Sequence, residues 1–277
     1  SPVSKGAPGR PHGPTQRDFC ELHCGPRAPR GFSTSCAPAA RRQGFFIARD
    51  LQLFHLAFTG MGFPPRWTPW YNLVMFIEPV KIYLICLLLG YLLGNLQFAI
   101  VFSHLLYHND VREHGSGNAG STNMLRVFGL KSGLLTFIGD FLKGVAAVLI
   151  GRSLGGAIGS YCMALGAILG HDFPALLKFK GGKGVATSMG IAVAIQPWIG
   201  IVAIAAGIGM VAYSKMVSVG SLTGGAMFLL LTLPFGADPW VRLLALLACL
   251  LIVLRHWENI YRIRTGQENR ISFKKKG

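Results

Sequence analysis

Gly115-Ser-Gly-Asn-Ala-Gly-Ser-Thr-Asn-Met-Leu-Arg126 is a short polar tract between two long apolar runs, at about 82–106 and 131–151. A chain that alternates runs of this kind with brief polar loops reads as an all-α, polytopic integral membrane protein. The tract holds three glycines, three hydroxyl residues, two asparagines and a closing arginine. Glycine lets backbone N–H groups turn toward a ligand. Hydroxyls and amides add neutral donors, and the Arg126 guanidinium is a planar fork suited to phosphate. Two readings stand at this point: an anion site at a membrane surface, or a plain flexible linker between helices.

Composition supports the membrane class: 51% of residues are hydrophobic, 14% are charged, and the mean hydropathy is +0.45. The net charge of +16 could point to nucleic acid. Its lysines and arginines lie in the N-terminal region and the loops, which is the signature of topology rather than of a nucleic-acid face. Cys86, Cys162 and Cys249 fall in apolar runs and act there as small hydrophobes. Cys20, Cys24 and Cys36, with His12 and His23, are spaced poorly for zinc, and no metal is expected. Residues 1–80 form a separate extension. As far as Arg49 it is basic and rich in Pro, Gly and Ser, and unfit to fold alone. An organelle transit segment has the same Arg-rich, acid-poor character. Leu51–Phe63 is too short to span and suits a position on the bilayer surface.

Residues 81–277 read as the membrane domain, with about seven transmembrane helices at 82–106, 131–151, 154–170, 185–195, 197–213, 217–235 and 240–255. The division at Gln196-Pro197 is required because 185–213 as one helix would be ~43 Å long, too long for one crossing. Parity then puts 107–130, 171–184, 214–216 and the tail from His256 on one side. These segments carry most of the loop charge, so they are expected to be cytoplasmic. The basic N-terminal tract falls on the other side and conflicts with that rule. Small residues recur at i, i+4 in Gly129/Gly133, Gly155/Gly159, Gly166/Gly170 and Gly220/Gly224, as close helix packing needs. Asp140 and Lys143 lie inside a span, where each charge costs about 2.5–3.5 kcal/mol. They either pair at i, i+3 or Lys143 points into a polar cavity.

A second polar tract, HDFPALLKFKGGKGVAT over 171–187, gathers Lys178, Lys180 and Lys183 around Gly181 and Gly182 at a helix entrance. Backbone amides, a helix N-terminus and ammonium groups together make an anion site. It is not a nucleotide-hydrolysing phosphate loop, because the glycine five residues before Gly182 is missing. A third tract, RHWENIYRIRTGQE over 255–268, follows the last span. Continued as a helix, it places His256, Asn259 and Arg262 on one face.

Together the three tracts closely resemble the motifs of the bacterial membrane glycerol-3-phosphate acyltransferases that use acyl phosphate, the PlsY family. The resemblance covers roughly 82–270 and extends to Asp140-x-x-Lys143-Gly144 and Ser214–Thr223. Departures are Gly94-Asn-Leu-Gln-Phe98, where the family usually has Gly-Ser-Ile-Pro-Phe, Ser121 for a common alanine, and Trp257 for a basic or polar residue. The resemblance implies transfer of a fatty acyl group from acyl phosphate to the first hydroxyl of glycerol 3-phosphate. The products would be lysophosphatidic acid and phosphate, in the first step of phospholipid synthesis. It implies catalytic roles for Ser116, Arg126, Lys183, His256 and Asn259. Substrate phosphates would fall to Gly115, Gly117, Asn118, Gly120, Asn123, Lys143, His171, Lys178, Lys180, Gly181, Gly182, Gly184 and Arg262. No cofactor, coenzyme A or metal is expected, since acyl phosphate is itself a mixed anhydride with a good leaving group. The expected partners are the two substrates, the lipid bilayer and the enzyme that forms acyl phosphate; nucleic acid is not one. The expected place is a bacterial inner membrane with the site facing the cytoplasm.

Three rivals remain at the level of sequence. A transporter of a phosphorylated metabolite would use the spans, Asp140/Lys143 and the basic loops, but predicts polar residues dispersed along a path. A membrane anchor for a soluble partner leaves the glycine tracts without use. Within the enzyme reading, Ser116 as a covalent nucleophile competes with direct attack, and either His256 or a substrate phosphate oxygen takes the proton.

Overall fold

The structure is a computed structural model that describes residues 69–236 and 238–271, with side chains from residue 77 onward. The N-terminal cysteines and the 51–63 segment lie outside the described residues. Among the described residues nine α-helices follow one another: α1 (Pro69–Gly94), α2 (Phe98–Tyr107), α3 (Ser121–Phe128), α4 (Leu130–Asp172), α5 (Val185–Ile195), α6 (Pro197–Ser214), α7 (Val217–Phe235), α8 (Pro239–Arg255) and α9 (Trp257–Arg264). Short 3₁₀ turns lie at Val111–Glu113, just before the first polar tract, and at Ala175–Leu177, within the second.

The expected single helix over 82–106 is broken at Asn95–Gln97. The cause is competition for backbone groups. Asn95 Nδ2 donates to the Tyr91 carbonyl at 2.7 Å, and Gln97 Nε2 donates to the His171 carbonyl at 2.8 Å. The carbonyls freed at the break, Gly94 and Leu96, accept from Lys143 Nζ at 3.3 and 2.7 Å. Buried backbone acceptors are thus satisfied by a lysine from another helix.

α4 holds two of the expected spans as arms of a hairpin. The chain reverses at Gly155 (φ −134°, ψ 21°) and Gly156 (φ 64°, ψ −148°). Glycine is required at the second of these because a Cβ would be strained at positive φ. The arms pack at backbone distance, since a Cβ on Gly151 would lie 2.8 Å from Ser160 Cα. Farther along the arms Ala147 packs with Met163 and Ala167, and Lys143 meets His171. Gly155 therefore turns the chain, where the i, i+4 pattern predicted a packing pair.

α1 lies against the second arm through Gly90 and Gly94 facing Gly166 and Gly170; a Cβ on Gly94 would sit 2.8 Å from Gly170 Cα. Such contacts maximise dispersion where lipid supplies no hydrophobic drive. Gly166→Leu would drive a side chain into the Leu87 carbonyl. We expect it to destabilise the solubilised protein by at least about 1–3 kcal/mol, read as a lower thermal midpoint. Gly209→Leu, at a position open to within 4 Å, should leave that midpoint unchanged.

The four segments that parity places on one side do gather at one end. The Lys215 carbonyl, in the α6–α7 turn, accepts from the Ile271 N–H at 2.7 Å. At the other end Trp198 packs edge-on to Phe235 at 5.3 Å, and Tyr161 Oη donates to Asp238 Oδ2 at 2.9 Å. Four helical stretches among the described residues are long and apolar enough to cross a membrane, or five if α8 and α9, bent by 58°, count as one. One of the four, Leu130–Leu177, is the hairpin. α5 has 11 residues, roughly 16 Å, about half a hydrocarbon core. The molecule is a multi-pass membrane protein, and the count of seven full crossings is not reached at α5.

Candidate active site

All three polar tracts open onto one cleft of about 870 Å³ at the end where the loops gather. The first tract is shaped by two left-handed glycines, Gly115 (φ 62°) and Gly117 (φ 69°), which flank exposed Ser116. Buried Asn123 fixes the turn from inside. Its Oδ1 accepts the Ser116 N–H at 2.9 Å, while Nδ2 donates to the Val111 and His114 carbonyls at 2.9 and 3.0 Å. Ser116, Gly117 and Asn118 reach the cleft. Gly115, Gly120 and Asn123 build the loop without lining it, Gly120 as the N-cap of α3. Arg126 is exposed on the last turn of α3 and does not line the cleft. The nearest arginine in sequence that does is Arg112, held by Asp110 through Nε at 3.0 Å and Nη2 at 2.6 Å. Hydrogen bonds from Arg112 hold the Asp110 carboxyl below its ordinary pKa, against the effect of burial.

The second tract is stapled to the end of α1. Tyr91 Oη donates to the Phe173 carbonyl at 2.8 Å and accepts the Ala175 N–H at 3.0 Å; Asn95 Oδ1 accepts the Leu176 N–H at 3.2 Å. Lys178 (φ 56°) and Phe179 (φ 61°) are consecutive non-glycine residues in the left-handed region, which costs roughly 1–2 kcal/mol each. Such strain is characteristic of functional loops. Lys178, Lys180, Gly181 and Lys183 line the cleft. Gly182 lies beneath them, its N–H donating to the His171 carbonyl at 3.0 Å. Arg255, stacked over Phe173, donates to the Gly182 carbonyl through Nε at 3.0 Å and to Gly181 through Nη2 at 3.3 Å.

Three further expected phosphate ligands are placed away from the cleft lining. Gly184 caps α5, and a Cβ there would lie 2.8 Å from Asp172 Oδ1. Gly184 therefore closes the loop against buried Asp172. Lys143 and His171 are buried below the cleft, with Lys143 Nζ 3.1 Å from Asp140 Oδ1 and 2.9 Å from His171 Nδ1. The pairing of Asp140 with Lys143 holds; the polar-cavity reading of Lys143 does not.

The third tract bends at His256 instead of continuing α8. His256 is buried, and its Nδ1 donates to the Ile252 carbonyl at 2.8 Å, which leaves Nε2 with the lone pair. Burial, then the nearby Lys183 charge, pushes its pKa down to about 4. Asn259 turns Oδ1 to Lys183 Nζ and donates Nδ2 to Glu268 Oε1 at 2.7 Å. Glu268 also accepts from Ser218 Oγ at 2.8 Å and from Arg262 Nε at 3.0 Å. Burial alone would raise its pKa, but these three donors hold it below the ordinary value. Lys183 is pushed down to about 8 by burial and by Arg262. His256 and Asn259 thus sit behind Lys183, and Arg262 lines the cleft itself.

Arg255 and Glu268 were part of the third tract in sequence without a role, and structure gives them one: they fix the Gly181–Lys183 backbone and the Asn259 amide. The cleft is also amphiphilic. Leu176, Phe179, Leu254 and Trp257, each more than 60% exposed, border the basic floor.

The family model described as Glycerol-3-phosphate acyltransferase matches residues 84–266. The chain belongs to the glycerol-3-phosphate acyltransferase family. The enzyme of that name from Thermoanaerobacter sp. (strain X514) is 39% identical over 187 residues, 68% of this chain and 94% of that one. That of Coxiella burnetii (strain Dugway 5J108-111) is 39% identical over 190 residues, 68% and 98% of the two chains. Among solved structures, PlsY, an integral membrane glycerol 3-phosphate acyltransferase, is similar in its glycerol 3-phosphate form. The TM-score is 0.66 at 36% identity, covering 69% of this chain and 96% of that one. Its lysophosphatidic acid form gives 0.64 at 35%. The acyltransferase is accordingly a transferase of phospholipid biosynthesis. The transporter alternative loses Asp140 and Lys143, which are engaged with one another and with the α1 break.

The pKa directions give a pH profile. In the free acyltransferase His256 is neutral above about pH 4, and Lys183 is charged below about 8. With a basic His256 and a cationic Lys183 both required, these two groups add no limb to kcat/KM from about pH 5 to 7, and the rate should fall as pH rises through about 8. An acidic limb that is lost in His256→Gln would show instead that an ordinary histidine titrates; one that persists reports the second ionisation of a substrate phosphate, at about 6.

Proposed function

We propose that the cleft transfers a fatty acyl group from acyl phosphate to the first hydroxyl of glycerol 3-phosphate. The observation that carries this is its amphiphilic lining: Arg112, Lys178, Lys180, Lys183, Arg255 and Arg262 share one cavity with four exposed apolar side chains. Two phosphorylated substrates, one with a long apolar tail, match that combination. The hydroxyl oxygen attacks the acyl carbon, the carbon–oxygen bond to phosphate breaks, and inorganic phosphate leaves with the bonding pair. The hydroxyl proton goes to His256 Nε2 or to a phosphate oxygen of a substrate. Lysophosphatidic acid remains.

Ser116, Asn118 and the amides beside Gly117 orient one phosphate and the carbonyl. Lys183, with Lys178 and Lys180, offsets charge on the departing phosphate, an electrostatic effect strongest in a partly dehydrated cleft. Asn259 fixes Lys183, and Arg262 supports the acceptor phosphate. Because phosphate is already a good leaving group, the scheme uses no covalent enzyme intermediate, coenzyme A or metal. The enzyme that makes acyl phosphate is the partner that must feed the cleft, which in a bacterial inner membrane would face the cytoplasm. Purified protein given palmitoyl phosphate and glycerol 3-phosphate should form lysophosphatidic acid and inorganic phosphate. Equal turnover with palmitoyl-CoA would reject the donor assignment.

A further inference from the structure

We propose that Lys143 and His171 are positioning residues that hold the Gly181–Gly182 segment, and through it Lys183, in its working place. The inference rests on the role given to Lys183 under Proposed function. Lys143 Nζ is surrounded by four acceptors: Leu96 O at 2.7 Å, His171 Nδ1 at 2.9 Å, Asp140 Oδ1 at 3.1 Å and Gly94 O at 3.3 Å. An ammonium group can only donate, so His171 Nδ1 accepts and the ring proton sits on Nε2. That edge of the ring faces Gly182 so closely that a Cβ on Gly182 would collide with Nε2. The same Cβ would lie 2.9 Å from the Ala119 carbonyl of the first tract. The His171 carbonyl accepts from Gly182 N–H and from Gln97 Nε2 at 3.0 and 2.8 Å. Gly182 is thus wedged between His171 and the first loop, one residue before Lys183. The ring's tilt is set from below by Lys143, which Asp140 and the α1 break hold in turn.

A group so enclosed does not touch substrate, yet it fixes the height of the loop that does. Misplacing a reacting group by about 1 Å costs about a hundredfold in rate. His171→Asn keeps an acceptor near the Nδ1 position for Lys143, whereas His171→Leu keeps volume and removes the acceptor.

The test uses the full chain in detergent micelles, assayed per folded molecule with whichever acyl donor the wild type uses. Folding is followed by thermal midpoint, and Lys183 by the pH dependence of its amine labelling, for which burial sets an expected wild-type midpoint of about 8. We expect His171→Leu and Lys143→Met to lose about a hundredfold in kcat/KM with the labelling midpoint moved in both, and His171→Asn, which keeps an acceptor for Lys143 but lacks the ring edge against Gly182, to fall between them and the wild type. Wild-type activity in His171→Leu or in Lys143→Met, or a labelling midpoint unmoved in both, would overturn the inference. Should the wild type transfer from neither donor, the functional reading fails. The labelling midpoint then still decides the positioning: moved in His171→Leu it stands, unmoved it falls.

Discussion

Lys183→Met should lower kcat by about 10²–10³ while the protein stays folded and membrane-extractable, an effect typical of removing one donor to developing charge. The expectation follows from the way Lys183 is built in. Its ammonium reaches the cleft from one side and is gripped by Asn259 from the other, and Asn259 is oriented by Glu268. Burial and Arg262 press its charge toward loss, so the free site holds an unstable cation that an anion would relieve. In the proposed transfer, a departing phosphate would offer that relief most in the transition state. Rates per folded molecule of Lys183→Met and wild type, with acyl phosphate saturating, measure it. A loss confined to KM would place the ammonium on ground-state binding instead.

Gly182→Ala should cost about a hundredfold in kcat/KM and also destabilise the fold by about 1–3 kcal/mol. A single methyl group has nowhere to go: it meets the His171 ring on one side and the Ala119 carbonyl, at 2.9 Å, on the other. Backbone must therefore move, and Lys183 moves with it. Gly266→Ala is the contrast. Unlike Gly182, that glycine is left-handed (φ 72°) and has nothing within 4 Å, so its substitution is a matter of local strain and should spare catalysis. Kinetics and thermal midpoints of the two variants separate collision from strain.

Much of this organisation is legible in the sequence because apolar length and loop charge are one-dimensional signals. The hairpin arms, the Gln196-Pro197 division and the gathering of four basic segments at one end all follow from them. What the sequence could not give is which atoms compete for a backbone group. At the break in the apolar run, Asn95 and Lys143 donate to its carbonyls while Gln97 reaches across to the His171 carbonyl of α4, a three-dimensional fact. For the same reason Gly182, Gly184 and Asn123 read as ligand-binding residues by type, whereas they serve the shape of the loops. Arg126 and Arg112 are alike in charge and only 14 positions apart, and only the fold shows which one faces the cleft. Glu268 lay in plain view at the end of the third tract. Its role needed Ser218, Asn259 and Arg262 to be seen converging on it.

That the three tracts form one phosphate-binding cleft can be examined with single cysteines at Ser116, Lys180 and Glu258, each exposed and lining it. They would be placed in a background free of native cysteines and labelled with a charged maleimide in sealed, oriented vesicles. All three should label from the same side, and glycerol 3-phosphate with a non-transferable acyl phosphate analogue should slow all three together. Labelling of any one from the opposite side, or protection of one without the others, would contradict the account.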